Sequence, residues 1–193
     1  MLLSPQTFVR IADGVVHQEG KDVMGSPSID TRTLMHNDTF FALQGPRFDG
    51  HDFVTVALER GAGTLVVQHD RTADSTARAE DYAVNVISVQ DTEMALQRTG
   101  SWYREQFCGQ VVGITGSSGK TTTKEMLRTA LSAHGEVVAT QGNLNNHLGV
   151  PLSLAQLTIE PDFAVFEMGM NAPGEIRTLS NWVRADVAVI TSI

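Results

Sequence analysis

Cysteine is nearly absent. Cys108 stands alone in 193 residues, so an internal disulfide is excluded, and with no Cys or His grouped around it a structural zinc site is excluded too. Such a chain suits a reducing compartment, with Cys108 expected as a small hydrophobe in packing rather than a reactive thiol. Basic charge is also scarce. Lys and Arg number 14 against 22 Asp and Glu, a formal charge of −8, and no basic run occurs. That excludes nonspecific nucleic-acid binding and attachment to anionic membranes, which both need positive surface. Long apolar runs are missing as well. The opening MLLSPQTF has too short an apolar run and no charged flank for a secretion signal, and nothing reaches the ~18 residues of a membrane span. A cytoplasmic location is expected. What remains is an ordinary globular composition, 41% hydrophobic and 19% charged, long enough for one or two domains.

The informative stretch is 111–126, VVGITGSSGKTTTKEM. Val111, Val112, Ile114 and Thr115 suit a buried strand. Gly116, Ser117, Ser118 and Gly119 make a turn whose small residues let backbone N–H groups close around an anion. From Thr121 a helix is expected, with Met126, Leu127, Ala130 and Leu131 on its inward face, so its N-terminus adds a dipole at the same spot. Lys120 would reach terminal phosphates as a point charge, and the Thr121 hydroxyl would sit where such loops ligate magnesium. The usual G-x-x-x-x-G-K-[ST] spacing is not met, because Ile114 stands five before Gly119 and the glycines are Gly113, Gly116 and Gly119. The strand before and helix after still favour nucleotide phosphate over a tight structural turn that happens to carry a lysine.

Taken in order, Ser4-Pro5 through Gly14 reads as a short capped helix. Phe40, Phe41, Ala42 and Leu43 read as a strand, 51–62 as a helix, 64–68 and 83–89 as strands, and 72–81 as a polar surface loop. A helix begins at Asp91 and carries Trp102, Tyr103 and Phe107, with Gly100 as a weak point inside it. The domain boundary is placed near Gln90, giving units 1–90 and 91–193. In the second, strands at 111–115, 136–140, 162–166 and 186–191 alternate with helices at 121–134, up to Leu157, and 174–183. Such alternation predicts an α/β fold with a parallel sheet and ligands at the carboxyl ends of its strands.

Three loops at that end carry the chemistry: the phosphate loop, TQGNLNNH at 140–147, and EMGMN at 167–171. Glu167 follows an apolar strand, so its carboxylate is expected beside the phosphates as a hard oxygen ligand for Mg²⁺, against the plainer alternative of capping a helix. Asn143, Asn145 and Asn146 supply neutral amides for substrate or phosphate, though Asn and Gly are also ordinary turn formers. His147 reads as a satisfied loop histidine. In the first unit Asp30, Thr31 and Arg32 offer an arginine fork and hydroxyl for a diphosphate or nucleotide, and Arg47, Asp49 and His51 lie in a second loop; solvated surface is the alternative for each. Trp102 and Trp182 are assigned to packing.

Together SIDTRTL, FFALQGPRFDGHDF, GITGSSGKTTTKEML, TQGNLNNHLGVPLSL and FEMGMNAPGEI resemble the Mur ligase family over essentially the whole chain. EMGMNAPGEI resembles most the member that adds D-alanyl-D-alanine to UDP-N-acetylmuramoyl-tripeptide in peptidoglycan synthesis. The resemblance implies a small α/β UDP-substrate domain followed by a truncated P-loop-type parallel-sheet ATP-binding domain. It implies ATP and Mg²⁺ as cofactors, and a reaction in which ATP phosphorylates the terminal carboxylate of the UDP-muramoyl peptide before the dipeptide amine attacks the acyl phosphate. By the same likeness Gly113, Thr115, Gly116, Ser117, Ser118, Gly119, Lys120, Thr121 and Thr122 cradle ATP with Asn145 and Asn146. Lys120 steadies the transferring phosphoryl group, Thr121 and Glu167 hold the metal, and Asp30, Thr31, Arg32 and Asn143 meet substrate. In the family a metal-ligand histidine, a carbamylated lysine and a third domain follow the ITSI strand. The chain is therefore expected to be an amino-terminal fragment that binds nucleotide weakly, joins no dipeptide and leaves a sheet edge exposed, while the full-length form is expected to be a monomer. A noncatalytic UDP-sugar or nucleotide-binding module, and a sister ligase for another amino acid, remain as alternatives.

Overall fold

A computed structural model describes residues 3–46 and 48–192, which divide into two compact units between Thr99 and Gly100. The division falls inside a helix, later than Gln90.

In the first unit α1 (Pro5–Ala12) begins as its sequence predicts. Ser4 Oγ accepts the Thr7 N–H at 3.2 Å, Pro5 takes the first turn, and Asp13 ends the helix in the left-handed region at φ 56°. There follow β1 (Val15–Gln18), β2 (Pro27–Ser28), β3 (Thr39–Phe41), α2 (Val54–Glu59), β4 (Thr64–Gln68), α3 (Thr72–Ala79), β5 (Asn85–Val89) and the start of α4 (Thr92–Gln106). The sheet runs β1-β5-β4-β3-β2, with β1 antiparallel to β5 and the other pairs parallel. Its inner strands are buried on both faces, as a parallel sheet requires. Phe40, Leu65, Val67 and Val86 pack with Val54, Ala57 and Leu58 of α2, and Phe41 meets the Phe8 ring edge-on, centroids 5.9 Å apart.

Two elements differ from the sequence reading. Residues 72–79 form α3 rather than a loop, because Ser75 and Ala79 are small enough to lie against the sheet while the polar residues face water. Residues 15–18, which the sequence reading assigns to no element, form edge strand β1, whose register with β5 slips between Val16 and Gln18.

The second unit comprises the end of α4, β6 (Gln110–Thr115), α5 (Lys120–Leu131), β7 (Val137–Ala139), α6 (Gly149–Ala155), β8 (Phe163–Glu167), α7 (Glu175–Val183) and β9 (Val187–Ile190). The sheet is parallel throughout in the order β7-β8-β6-β9, as the alternation predicts. Order reverses at β6, so a crevice opens beyond its carboxyl end. The core gathers Val111, Ala164 and Phe166 from the sheet with Val150 and Leu154 of α6 and Leu179 and Val183 of α7, and Trp182 packs against it. Trp102 meets Tyr103 edge-on, centroids 4.9 Å apart.

Three corrections belong here. The expected inward face of α5 is only partly inward: Leu127 and Leu131 are half-buried, but Ala130 is exposed and Met126 is 68% exposed, and the one fully buried side chain of that helix is Lys124. Cys108 is exposed rather than packed. Gly100 is no weak point, since a Cβ there would lie 2.6 Å from Pro151 O, so its bareness lets α4 approach α6. At the outer edge β9 exposes Val187 and Ile190. No helix among the described residues is long and apolar enough to cross a membrane.

Candidate functional site

Strand β6 delivers the chain to the crevice and α5 leaves from it, so the loop between them has two left-handed glycines, Gly116 at φ 140° and Gly119 at φ 81°. Gly119 is the N-cap of α5 and, lacking a side chain, offers no cap hydrogen bond. The first-turn amides of the helix therefore point outward with only the helix dipole behind them, the arrangement that receives an anion. Lys120 Nζ donates to Gly116 O at 2.8 Å, closing the loop on itself. Ser117 and Ser118 give their N–H groups to Ser192 O at 2.9 Å and Ser192 Oγ at 3.1 Å, so they are already engaged. Thr122 is exposed beside them. Thr115 O accepts the Thr191 N–H at 2.9 Å. Gly113 lies inside β6, where the missing side chain makes room for Met168 Cε and Ala185 Cβ, 2.9 and 3.1 Å from a Cβ position; its place is in packing, away from the loop.

Glu167, the last residue of β8, reaches this loop although only 2% exposed. Thr121 Oγ1 donates to its Oε2 at 2.9 Å and Asn145 Nδ2 to its Oε1 at 2.8 Å. Two residues predicted from separate loops thus share the carboxylate of a third. Asn146 does a different job, accepting the Leu148 and Gly149 N–H groups on Oδ1 at 3.1 and 2.8 Å to turn the chain into α6. Asn143 is exposed, and its carbonyl accepts the Asn145 N–H at 2.7 Å. The EMGMN loop is ordered by Glu175, whose carboxylate accepts the Asn171 and Ala172 N–H groups at 2.6 and 3.2 Å. Those bonds hold its carboxyl below the usual range, with His147 assisting.

In the first unit Asp30, Thr31 and Arg32 line a cleft of about 460 Å³ with Phe48 and Phe53. Arg32 turns its fork onto its neighbour, Nε and Nη2 donating to the Asp30 carboxylate at 2.6–3.0 Å, while its side chain stays 85% exposed. Thr31 is buried. The Arg32 bonds hold Asp30 below the usual carboxylate range. Of the second loop, Arg47 lies outside the described residues. His51 is not solvated surface: it is 3% exposed, its Nδ1 meets Asp49 Oδ1 at 2.5 Å, and its Nε2 accepts the Gln68 N–H at 3.0 Å. That pairing pins the ring as a strut between loop and β4. Arg71 reaches Asp49 Oδ2 at 2.8 Å. Burial pushes the Asp49 carboxyl up, but the His51 bonds and Arg71 outweigh it and leave it low.

Two family models match the chain in succession. The Mur ligase family catalytic domain covers residues 26–104 and the Mur ligase middle domain residues 114–193. The chain belongs to the Mur ligase family. The Mur ligase chain is 43% identical over 176 residues to the UDP-N-acetylmuramoyl-tripeptide–D-alanyl-D-alanine ligase of Bacillus subtilis, and 40% over 176 to that of Escherichia coli K12. Each match takes in 91% of this chain and 37% of the relative, so the chain spans well under half the length of these relatives. A crystal structure of MurF from Acinetobacter baumannii superposes with a TM-score of 0.82 at 37% identity, covering 98% of this chain and 41% of that one. MurF from Thermotoga maritima, solved in complex with ADP, gives 0.71 at 32% identity over 88% and 38%.

The donor set of this Mur ligase chain fits a small hard cation. Thr121 and Glu167 supply two oxygens already in contact, and Mg²⁺ typically takes one or two protein oxygens and completes its shell from phosphates and water. No group of three or more His, Cys, Asp or Glu side chains that could hold a metal ion occurs among the described residues. The residue that sequence reasoning missed is Lys124, buried against Thr140 O at 2.8 Å and Gly142 O at 3.3 Å. Its place one helical turn after Lys120, on the same face of α5, was readable; its burial was not.

Proposed function

We propose that the chain serves, within a full-length enzyme, an ATP-dependent ligase reaction that joins D-alanyl-D-alanine to UDP-N-acetylmuramoyl-tripeptide through an acyl phosphate, the full-length form acting as a monomer in cytoplasmic synthesis of peptidoglycan precursors and the 193 residues alone binding nucleotide without joining the dipeptide. The observation that carries this reading is the 2.9 Å bond between Thr121 and Glu167, which joins the start of α5 to the end of β8 at the crevice. The names and structures of the relatives support it. The first-turn amides of α5 bind terminal phosphate oxygens. Lys120 leaves Gly116 O and turns to the phosphoryl group, where its charge opposes the negative charge that develops during transfer. Thr121 and Glu167 hold the magnesium ion, and Asn145 keeps the carboxylate from rotating. Magnesium, when bound, withdraws electron density from the phosphates. Asp30, Thr31 and Arg32, with the cleft beside them, take the UDP end of the peptide substrate.

Titration calorimetry of the 193-residue chain with ADP and Mg²⁺ tests the nucleotide half. Lys120→Ala removes a charge-assisted bond and is expected to weaken binding roughly ten- to a hundredfold. Equal affinity in the two proteins, or no heat from the parent chain, overturns the reading.

A further inference from the structure

Lys124 is 1% exposed, and an ammonium group taken from water demands close oxygen partners. Its nearest are two main-chain carbonyls, Thr140 O at 2.8 Å and Gly142 O at 3.3 Å. Carboxylates stand further off, Glu125 Oε1 at 3.6 Å and Glu167 Oε2 at 3.9 Å. The same Thr140 accepts the Glu167 N–H on its hydroxyl at 3.2 Å. One side chain of α5 therefore grips the loop after β7 while lying alongside the last residue of β8, and these three elements supply Thr121, Asn145 and Glu167.

We infer that Lys124 is a positioning residue for the metal-binding carboxylate: it anchors the 140–142 turn and supplies the fixed positive charge against which Glu167 is held. This rests on the proposed nucleotide–magnesium site. The distances say how it works. Because both carbonyls, at 2.8 and 3.3 Å, are nearer than Glu167 Oε2 at 3.9 Å, Lys124 need not leave when a cation reaches the Thr121–Glu167 pair. It stays on the turn, and the turn keeps Asn145 on Oε1. Without it, Gly142, at φ 54°, loses its tether, and Glu167 retains only two neutral side-chain donors.

The test uses the whole chain and compares Lys124→Met, which keeps length and apolar bulk, with Lys124→Arg, which keeps charge. ADP binding is measured by calorimetry at 10 °C across a magnesium series, beginning without metal. Lys124→Met is expected to need about 10–100-fold more Mg²⁺ for half-maximal enhancement of ADP binding, the usual loss when a group supporting a metal ligand is removed, with metal-free ADP affinity changed much less. Lys124→Arg is expected to recover part of that loss. A purely structural lysine lowers the melting temperature but leaves the magnesium dependence of the folded protein unmoved, and that result overturns the inference. If the methionine variant does not fold, the Lys124 ammonium signal in ¹⁵N NMR of the parent chain serves instead. It should be protected from solvent exchange and shift when Mg²⁺ joins ADP; free exchange or no shift overturns the assignment. Failure of the parent chain to bind ADP with Mg²⁺ strikes the proposed function, not this step.

Discussion

Replacing Gly116 by alanine tests how the glycine loop between β6 and α5 is held. At φ 140° a Cβ would lie 2.2 Å from Thr191 Oγ1 and 2.9 Å from both Ser192 N and Ser192 O. Two costs combine. A side chain in that backbone region costs about 1–3 kcal/mol, and forcing atoms apart in a packed loop about 1–3 more. The sum, about 2–6 kcal/mol, is a large share of the ~5–15 kcal/mol that keeps a domain folded. With a urea slope near 2 kcal/mol per molar, the midpoint for the second unit should fall by about 1–3 M. The double variant separates the two costs. Thr191→Ala alone loses the bonds from its hydroxyl to Ser118 O at 2.5 Å and, more weakly, Thr115 O at 3.3 Å, about 1 kcal/mol because one proton serves one acceptor at a time. Combined with Gly116→Ala it also removes the nearest obstruction, leaving the Ser192 backbone, so the pair should be less harmful than the sum by about 1–2 kcal/mol. Strict additivity refutes the close approach, and a midpoint shift below about 0.2 M for Gly116→Ala refutes the strain.

Gly100→Ala sets two effects against each other. Alanine gains about 1 kcal/mol of helix propensity, but its methyl meets Pro151 O, a backbone atom, at 2.6 Å, at about 1–3 kcal/mol; a melting temperature lower by a few degrees is expected, and a rise would show that α4 and α6 can part without cost. For Asp30, ¹³C titration of its carboxyl should show a midpoint below that of an ordinary aspartate, because Arg32 stabilises the charged form, and Arg32→Ala should return it to the ordinary range. A depressed folded value stabilises the native state above the unfolded pKa and loses that contribution as pH falls through the folded value. Any stability difference between the parent and Arg32→Ala should therefore shrink toward acid, and one that grows there contradicts the pairing.

The order of elements in the second unit was legible because every strand is a short, largely apolar run and every turn but the one at 184–186 carries Gly, Asn or Pro. The meeting of Thr121, Asn145 and Glu167 was legible for a topological reason: parallel strands bring their following loops to one end of the sheet. The buried face of α5 was not. Periodicity counts Met126 and Leu131 as inward because they are apolar, whereas the burial of Lys124 depends on two carbonyls from a loop some sixteen residues away, which no local pattern encodes. Residues 72–79 hid for the opposite reason, since a helix of Thr, Ala, Ser and Asp buries so little that its stripe is faint. His51 looked like one more polar loop residue, and only the Gln68 N–H beyond it explains why it sits inside.

Asn145 is fastened twice, by its side chain to Glu167 and by its carbonyl to the Gly169 N–H at 2.7 Å, and a Cβ on Gly169 would fall 3.0 Å from its amide. The asparagine-rich loop and the methionine-rich loop are therefore stitched into a single plate. Whatever tugs the carboxylate toward a metal drags the neighbouring backbone with it, and the Gly169 amide proton becomes a built-in gauge of that displacement.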